Sequence, residues 1–264
     1  MPETHGGRIV TRVDARPGGR VAFVAIDNRA RLNSLTGALM DELAASIAAL
    51  GDDAELRALV LTGAGDKAFI GGADIDEMST LADADAARTF ITRLHAVCAA
   101  IRALPVPVIA RINGFALGAG LEIAASCDLR IAAESAVFGM PEVRLGIPSV
   151  IEAALLPRLI GWGRARQVVL FGENFPAADA LSWGLVEELA GPGRLDAVVE
   201  AWLARLFSCA PGAVRRQKQL IRAWEDLPLR AAIAAGIDSF ADAIQSGEPA
   251  AVMGDFLARR KARR

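Results

Sequence analysis

Two glutamates and two glycine-rich turns carry the groups that could do chemistry in this chain. Glu122 follows Gly118-Ala119-Gly120 by one helical turn and lies inside an apolar run that favours a buried helix. Glu142 follows Pro141 at the start of a loop. A carboxylate in the first turn of an apolar helix is costly unless it is hydrogen-bonded, shifted in pKa or catalytic. The pair is therefore a candidate for general acid–base catalysis.

Each glutamate also has a purely structural interpretation. A carboxylate near a helix N-terminus is favoured by the helix dipole, which accounts for Glu122 taken alone. Glu142 taken alone fits a solvated loop side chain. The functional interpretation depends on the two occurring together beside free backbone amides.

Those amides come from two turns, Gly71-Gly72-Ala73-Asp74 and Gly118-Ala119-Gly120, each of which follows a strand and opens a helix. Such turns leave N–H groups free at a helix N-terminus. Two of them could converge on one oxygen and form an oxyanion hole for a developing enolate. The alternative is that both are only tight strand-to-helix turns, where glycine is the default residue.

Alternating strands and helices must position these groups. Short apolar runs predict strands at Arg8 to Asp14, Val21 to Asp27, Ala58 to Thr62, Pro107 to Ala110, Leu129 to Ala132, Ala136 to Gly139 and Val186 to Leu189. Helical spacing predicts helices from Ser34 or Thr36 to about Leu50, then Ile75 to Met78, Ala84 to Leu104, Leu121 to Cys127, Ala153 to Ile160, Arg164 to Phe171 and Ala177 to Trp183. Ser34 or Thr36 is expected to cap the first helix and Asp83 the third. The apolar residues of the first helix are Leu39, Met40, Leu43, Ile47 and Leu50.

Helices alone follow at Leu195 to Phe207, Ala213 to Trp224, Leu229 to Ser246 and Glu248 to Lys261. This order of elements predicts an α/β core over residues 1–195 and a helical C-terminal region over residues 196–264.

Composition excludes several classes of protein. The 264 residues are 53% hydrophobic and 23% charged with a net charge of −2, which predicts a folded chain with no electrostatic case for nucleic-acid or membrane binding. Three widely spaced cysteines predict free thiols in the cytoplasm, and no signal peptide is expected. The only histidines are His5 and His95, so no metal site and no histidine-based triad are expected. The motifs of dinucleotide-binding proteins, P-loop NTPases, zinc proteases and serine esterases are absent from the sequence.

Three segments together resemble the enoyl-CoA hydratase/isomerase (crotonase) superfamily. They run from Ala68 to Met78 (AFIGGADIDEM), from Asn113 to Asp128 (NGFALGAGLEIAASCD) and from Phe138 to Gly146 (FGMPEVRLG). The resemblance covers essentially the whole chain. It implies a ββα spiral core, a trimerising helical C-terminal region in a homotrimer or dimer of trimers, and a CoA thioester as substrate. Coenzyme A would enter as part of the substrate, with no other cofactor.

The resemblance also implies roles for individual residues. The amides of Ala73 and Ala119 would hold the thioester oxygen, while Glu122 would act as general base and Glu142 as general acid in the hydration of a 2-enoyl-CoA. Further contacts with substrate or CoA are implied for Ala30, Leu32, Lys67, Gly71, Asp74, Ile75, Gly118, Pro141, Ile151, Phe256 and Arg259.

The chain departs from the family's pattern at two places. Asp76 stands where many relatives carry a lysine that helps to bind the nucleotide phosphate, so Lys67, or Arg259 of a neighbouring subunit, is expected to supply that charge. The segment after Ile147-Pro148 lacks the usual glycine-rich turn and carries Glu152, either a third active-site carboxylate or a residue facing solvent or a salt bridge.

Three other functions remain open at this point. The same two glutamates suit an enoyl-CoA isomerase or an acyl-CoA thioester hydrolase. A non-catalytic acyl-CoA-binding subunit is the alternative outside the enzyme class.

Overall fold

Strands and helices alternate through residues 7–262, the part of the chain that the computed structural model describes. The strands are β1 Arg8–Arg16, β2 Gly19–Asp27, β3 Leu56–Gly63, β4 Ala68–Ile70, β5 Val108–Ile112, β6 Phe115–Leu117, β7 Leu129–Ala133, β8 Val137–Gly139, β9 Asn174–Pro176 and β10 Glu188–Ala190. The helices are α1 Gly37–Ala49, α2 Ile75–Ser79, α3 Ala84–Ala103, α4 Ala119–Ser126, α5 Leu156–Phe171, α6 Ala177–Ser182, α7 Leu195–Phe207, α8 Pro211–Asp226, α9 Leu229–Gln245 and α10 Glu248–Ala262. His5 lies outside the described residues.

Two sheets divide the strands. The larger sheet has the order β1-β2-β3-β5-β7-β10 and is parallel except for the β1–β2 hairpin. The smaller sheet has the order β4-β6-β8-β9, in which β4, β6 and β8 are parallel. The chain enters the larger sheet, then the smaller one, and then a helical segment, in three successive rounds. The predicted α/β class and its ββα spiral are confirmed by this topology.

Alternation along the strands explains why the larger sheet is covered on both faces. In β3, Leu59 and Leu61 belong to the main core, whereas Ala58 and Val60 belong to a second cluster on the opposite face. Successive side chains of a strand point to opposite faces, so a strand that is apolar throughout must be packed on both sides. Helix α7 covers the second face with Leu195, Val199 and Leu203.

Capping residues fix where the helices begin. The side chain of Thr36 accepts a hydrogen bond from the Leu39 amide at 3.3 Å and starts α1. Asp83 accepts from two amides at the start of α3. Both residues were expected to cap from the sequence, because a side-chain oxygen there satisfies an amide that has no partner within the helix.

Three elements differ from the prediction. Strands β6 and β9 have three residues each and were not predicted. Strand β6 directly follows Asn113-Gly114, a turn dipeptide, and β9 contains an asparagine and a proline, both of which are depleted in strands. The helix predicted from Ala153 starts at Leu156, because Ile151–Leu155 form a 3-10 turn. The break predicted at Gly161 is found inside α5, where this glycine has φ +74° and interrupts the helical geometry.

Helices α9 and α10 leave a row of large apolar side chains exposed. They are Leu229, Ile233, Ile237, Phe240, Ile244, Val252, Met253, Phe256 and Leu257. The predicted boundary between residues 195 and 196 falls inside the first turn of α7, a helix that packs on the larger sheet. The division into two regions stays a prediction. No single helix among residues 7–262 is long and apolar enough to cross a membrane. Among these described residues, α7 and α8 taken together, bent by 104°, have the length and composition of a broken membrane span, and no more than that.

Candidate active site

The smaller sheet brings the candidate residues to one edge. Its strands β4, β6 and β8 run parallel, so their carboxyl ends lie side by side. The turn to Ala73 follows β4, the turn to Ala119 follows β6, and Glu142 follows β8 by three residues. Ligands of parallel α/β sheets bind beyond the carboxyl ends of the strands, and the chain order of these strands therefore predicts a shared site.

The two turns present their amides in the same way. Gly72 has φ +127° and Gly118 has φ +52°, and each directly precedes the alanine whose amide was predicted to bind an oxygen. Within residues 7–262, neither the amide of Ala73 nor that of Ala119 donates a hydrogen bond to the protein. Both donors are thus available to a ligand, and the helix N-terminus at Ala119 favours negative charge there.

Glycine is required where the second turn packs closely. A Cβ on Gly120 would lie 2.1 Å from the carbonyl oxygen of Ile70, so only glycine lets α4 start against β4. A Cβ on Gly118 would lie 2.6 Å from Oε1 of Glu142. The Glu142 carboxylate is therefore directly over the turn that exposes the Ala119 amide.

Glu122 is buried on α4, with 4% of its surface exposed. Its Oε1 accepts a hydrogen bond of 3.1 Å from the amide of Ala153. The pKa of Glu122 is raised to about 8, chiefly by burial and to a smaller extent by the nearby carboxylates of Glu142 and Glu152, against the lowering effect of the Ala153 amide. At neutral pH this carboxyl group holds a proton when no substrate is bound.

Glu142 lies on the 3-10 turn Pro141–Leu145 and is half-buried. Burial raises the pKa of this carboxyl group too, while a hydrogen bond of 2.9 Å from Oγ of Ser149 to Oε2 partly opposes the shift. Two neighbouring carboxyl groups with raised pKa values favour a site that holds a shared proton near neutral pH.

The two glutamates and the two turns enclose a cavity of about 100 Å³. Its predicted lining residues are Gly71, Ala73, Ile75, Gly118, Ala119, Glu122, Pro141 and Glu142, and the structure brings all of these together. The cavity shares its outer wall with a larger apolar groove of about 590 Å³, which runs between α2, α3 and the segment Leu145 to Val150.

Several residues implied as substrate contacts lie outside this cavity. Asp74 is buried and caps α2 by accepting from the Glu77 amide at 3.0 Å, and its contact with the substrate stays a prediction. Ile151 packs against the core, and Val150 lines the cavity in its place. The remaining residues are exposed and do not line the cavity, and their contacts with CoA stay predictions: Ala30, Leu32, Lys67, Phe256 and Arg259. Leu32 lies next to the cavity, because its carbonyl oxygen accepts from the amide of Gly71 at 2.8 Å.

Arg31 is a nearby cation that the sequence analysis missed. Its Nη1 lies 3.0 Å from Oδ2 of Asp74 and 2.6 Å from Oδ2 of Asp76. The guanidinium therefore lies beside the position at which many relatives carry a lysine. The pair of aspartates was only a weak signal in the sequence, because an exposed carboxylate such as that of Asp76 needs no cation.

Glu152 was expected either to join the site or to face solvent or a salt bridge. It is buried rather than facing solvent, and its Oε1 is within hydrogen-bond distance of Nδ1 of His95, at 2.8 Å. This contact is a salt bridge only when the imidazole is protonated. Among the described residues no group of three or more His, Cys, Asp or Glu side chains is arranged to hold a metal ion.

The amino-acid sequence is similar to known proteins along most of its length. Residues 17–263 match the family described as Enoyl-CoA hydratase/isomerase. A short-chain-enoyl-CoA hydratase of Clostridium acetobutylicum is 37% identical over 92% of this chain and 93% of its own, and a crotonyl-CoA hydratase of Syntrophomonas wolfei is 36% identical over 92% and 94%.

Solved structures show the same fold. An enoyl-CoA hydratase of Mycobacterium smegmatis superposes with a TM-score of 0.90 at 28% identity, covering 95% of this chain and 96% of that one. A second, from Bacillus anthracis, gives 0.88 at 32% identity over 94% and 96%. The predicted crotonase-like fold is confirmed by these similarities.

Proposed function

The chain belongs to the enoyl-CoA hydratase/isomerase family, and we propose that it adds water to a 2-enoyl-CoA thioester to give a 3-hydroxyacyl-CoA. The observation that carries this proposal is the meeting of two carboxyl groups and two free backbone amides around one small cavity. Coenzyme A arrives with the substrate, and the proposed reaction needs no other cofactor.

The amides of Ala73 and Ala119 would hold the thioester oxygen. Addition of a nucleophile at Cβ moves negative charge onto this oxygen, and fixed donors stabilise that charge more than they stabilise the ground state. Support comes from the lack of any protein partner for either amide among the described residues.

The two glutamates would share the proton transfers. Glu122 takes a proton from water as the hydroxyl group bonds to Cβ, and the C–C π electrons pass into the enolate. Glu142 then delivers its proton to Cα, which returns the electrons from the oxygen and completes the product. One proton is taken up and one is delivered, so the net reaction is the addition of one water molecule.

The raised pKa of Glu122 adds a step to this cycle. After each addition Glu122 is protonated and Glu142 is ionised, and Glu122 is also the group that holds a proton in the substrate-free site. A new water molecule must pass that proton to Glu142 before the next turnover. Activity therefore requires one proton on the pair and should fall on the alkaline side near pH 8.

Replacement of each glutamate tests both the function and the division of roles. E122Q and E142Q should each reduce hydration of crotonyl-CoA by about a hundredfold or more. With a saturated acyl-CoA in D₂O, only the group that serves Cα is needed for exchange of the α-proton. E142Q should therefore lose exchange and E122Q should retain it, with exposed Glu134→Gln as the matched control.

Mass spectrometry of the products separates the rival reactions. Hydrated product supports the proposal, whereas a shifted double bond would indicate an isomerase and free CoA a hydrolase. Near-normal hydration by both glutamine variants, or no turnover across a series of 2-enoyl-CoAs, would contradict the proposal.

We further propose that α9 and α10 pack against other copies of the chain in a homotrimer or dimer of trimers. The exposed apolar row on these helices supports this, because such a surface is costly in water. Phe256 and Arg259 would then reach the CoA of a neighbouring subunit. Light scattering on the purified chain tests the assembly, and a monomer at micromolar concentration would contradict it.

A further inference from the structure

A buried carboxylate next to the site has no part in the proposed reaction. Glu152 is 8% exposed, and its Oε2 is buried without a hydrogen-bond partner among residues 7–262. Glutamate is rarely buried unless it is paired, and an unpartnered buried oxygen is costly. The pairing comes from His95, whose Nδ1 lies 2.8 Å from Oε1.

The turn that carries Glu152 is strained. Ile151 has φ +40°, a conformation that a β-branched residue rarely adopts. Residues in such conformations persist only where surrounding contacts hold them, and they concentrate at functional sites. The side chain directly after the strained residue is the one that His95 holds.

The residue after Glu152 contacts the proposed base. The amide of Ala153 donates both to Oε1 of Glu122, at 3.1 Å, and to the carbonyl oxygen of Val150, at 3.0 Å. One 3-10 turn therefore carries three consecutive residues with different features: a strained backbone at Ile151, the contact with His95 at Glu152, and the hydrogen bond to Glu122 at Ala153.

Helix α3 carries His95 and also forms part of the cavity wall. His95 has 55% of its side chain exposed, and it joins the turn to the helix whose Phe90 and Leu94 line the cavity. The contact between His95 and Glu152 therefore links the exposed surface of α3 to the turn that borders the active site.

We propose that His95 and Glu152 position Glu122: the pair holds the strained turn so that the Ala153 amide orients the carboxyl group of Glu122, and it places a negative charge next to that group. This inference rests on the proposed hydration only for its kinetic readout. The titration of Glu122 in the substrate-free chain tests it independently.

The charged and titratable groups around Glu122 determine in which direction its pKa changes when the charge on Glu152 is removed. Glu142 faces it from the turn Pro141–Leu145, Glu152 from the turn Ile151–Leu155, and Cys98 from α3, with His95 on the far side of Glu152. Burial raises the pKa of the Cys98 thiol well above its usual range, so this group stays neutral. Removal of the charge on Glu152 therefore lowers the pKa of Glu122.

The decisive variant is E152Q, which keeps the size of the side chain and removes its charge. Infrared difference spectra of the carboxyl groups, with E122Q to assign the Glu122 band, should show Glu122 titrating at lower pH in E152Q than in the unchanged chain. In the hydration assay kcat should fall about tenfold while KM changes less than about twofold, because the substrate contacts are retained. Glu134→Gln is the control for a change of charge at an exposed site.

His95 provides a second and independent perturbation. H95A removes the anchor at an exposed position and should reduce kcat in the same way, and H95Q, which can still donate to Glu152, should recover most of the loss. If E152Q fails to fold, H95A and H95Q carry the test. The inference is overturned if E152Q, or H95A in its place, leaves both the titration of Glu122 and kcat unchanged. A chain that hydrates no 2-enoyl-CoA but shows the shifted titration would refute the proposed function and leave this inference supported.

Discussion

Replacement of Glu122 by glutamine should make the protein more stable as it becomes inactive. The folded chain raises the pKa of Glu122 to about 8, whereas the ordinary value is 4.5. Between these two values the folded chain retains a proton that the unfolded chain releases. The free energy of unfolding therefore declines as the pH rises from 4.5 to 8 and stays at its lower level above pH 8.

The size of the effect follows from the two pKa values. Each pH unit in that interval costs up to about 1.4 kcal/mol, so the accumulated loss approaches ~3 kcal/mol at pH 7 and ~5 kcal/mol above pH 8. Glutamine carries no charge to bury, and its carbonyl oxygen can still accept from the Ala153 amide. E122Q should recover much of this loss at alkaline pH and little of it at pH 5.

Urea denaturation at pH 5, 7 and 9 measures the difference directly. Protein concentration must be held fixed, because association of the folded chain would shift the midpoint. E122Q should unfold at a higher urea concentration than the unchanged chain at pH 9, with the gap closing toward pH 5, while Glu134→Gln should follow the unchanged chain throughout. Equal midpoints at pH 9, or a gap that widens toward acid, would refute the assignment of a buried, proton-holding Glu122.

Three further substitutions probe other contacts. Gly118→Ala places a Cβ 2.6 Å from Oε1 of Glu142 at a position with φ +52°. In a steady-state hydration assay kcat should fall by about tenfold or more, because the new methyl group displaces the Glu142 carboxyl group and strains the turn. An unchanged kcat would contradict the close approach. Lys218→Met removes the ammonium group 2.7 Å from Oδ2 of Asp128 and leaves this partly buried carboxylate without its cation, with only the Val108 amide still donating to it. The change should cost about 3 kcal/mol in urea denaturation, and a loss below ~1 kcal/mol would show that water replaces the pair. Arg31→Gln should raise KM for the CoA thioester several-fold at unchanged kcat if this guanidinium meets the nucleotide phosphate, and an unchanged KM would assign it to the two aspartates alone.

The sequence was informative wherever one residue type satisfies one local requirement. Thr36 and Asp83 were predicted as caps and are found as caps, because few other residues supply an oxygen to a free amide. The apolar spacing of α1 correctly predicted its buried face. The two glycine-rich turns were located for the same reason, since their backbone geometry excludes most side chains.

What the sequence could not supply was the relation between distant segments. The three rounds of the spiral share no sequence repeat, so the alignment of β4, β6 and β8 is visible only in the folded chain. The pairing of His95 with Glu152 joins residues 57 positions apart, and no local pattern points to it. The site's residues were identified by resemblance to a family, and physical reasoning on spacing alone left their structural interpretations open.

The two proposed catalytic carboxyl groups are carried by very different parts of the molecule. Glu122 belongs to α4, every residue of which is buried, whereas Glu142 stands on a short turn whose neighbours Val143 and Leu145 face solvent. A change at residue 142 disturbs little packing and leaves the paired amide donors intact. Substitutions in that turn, natural or designed, could therefore change which reaction follows once the thioester is polarised. The buried helix and the two amides that polarise the thioester would stay the same.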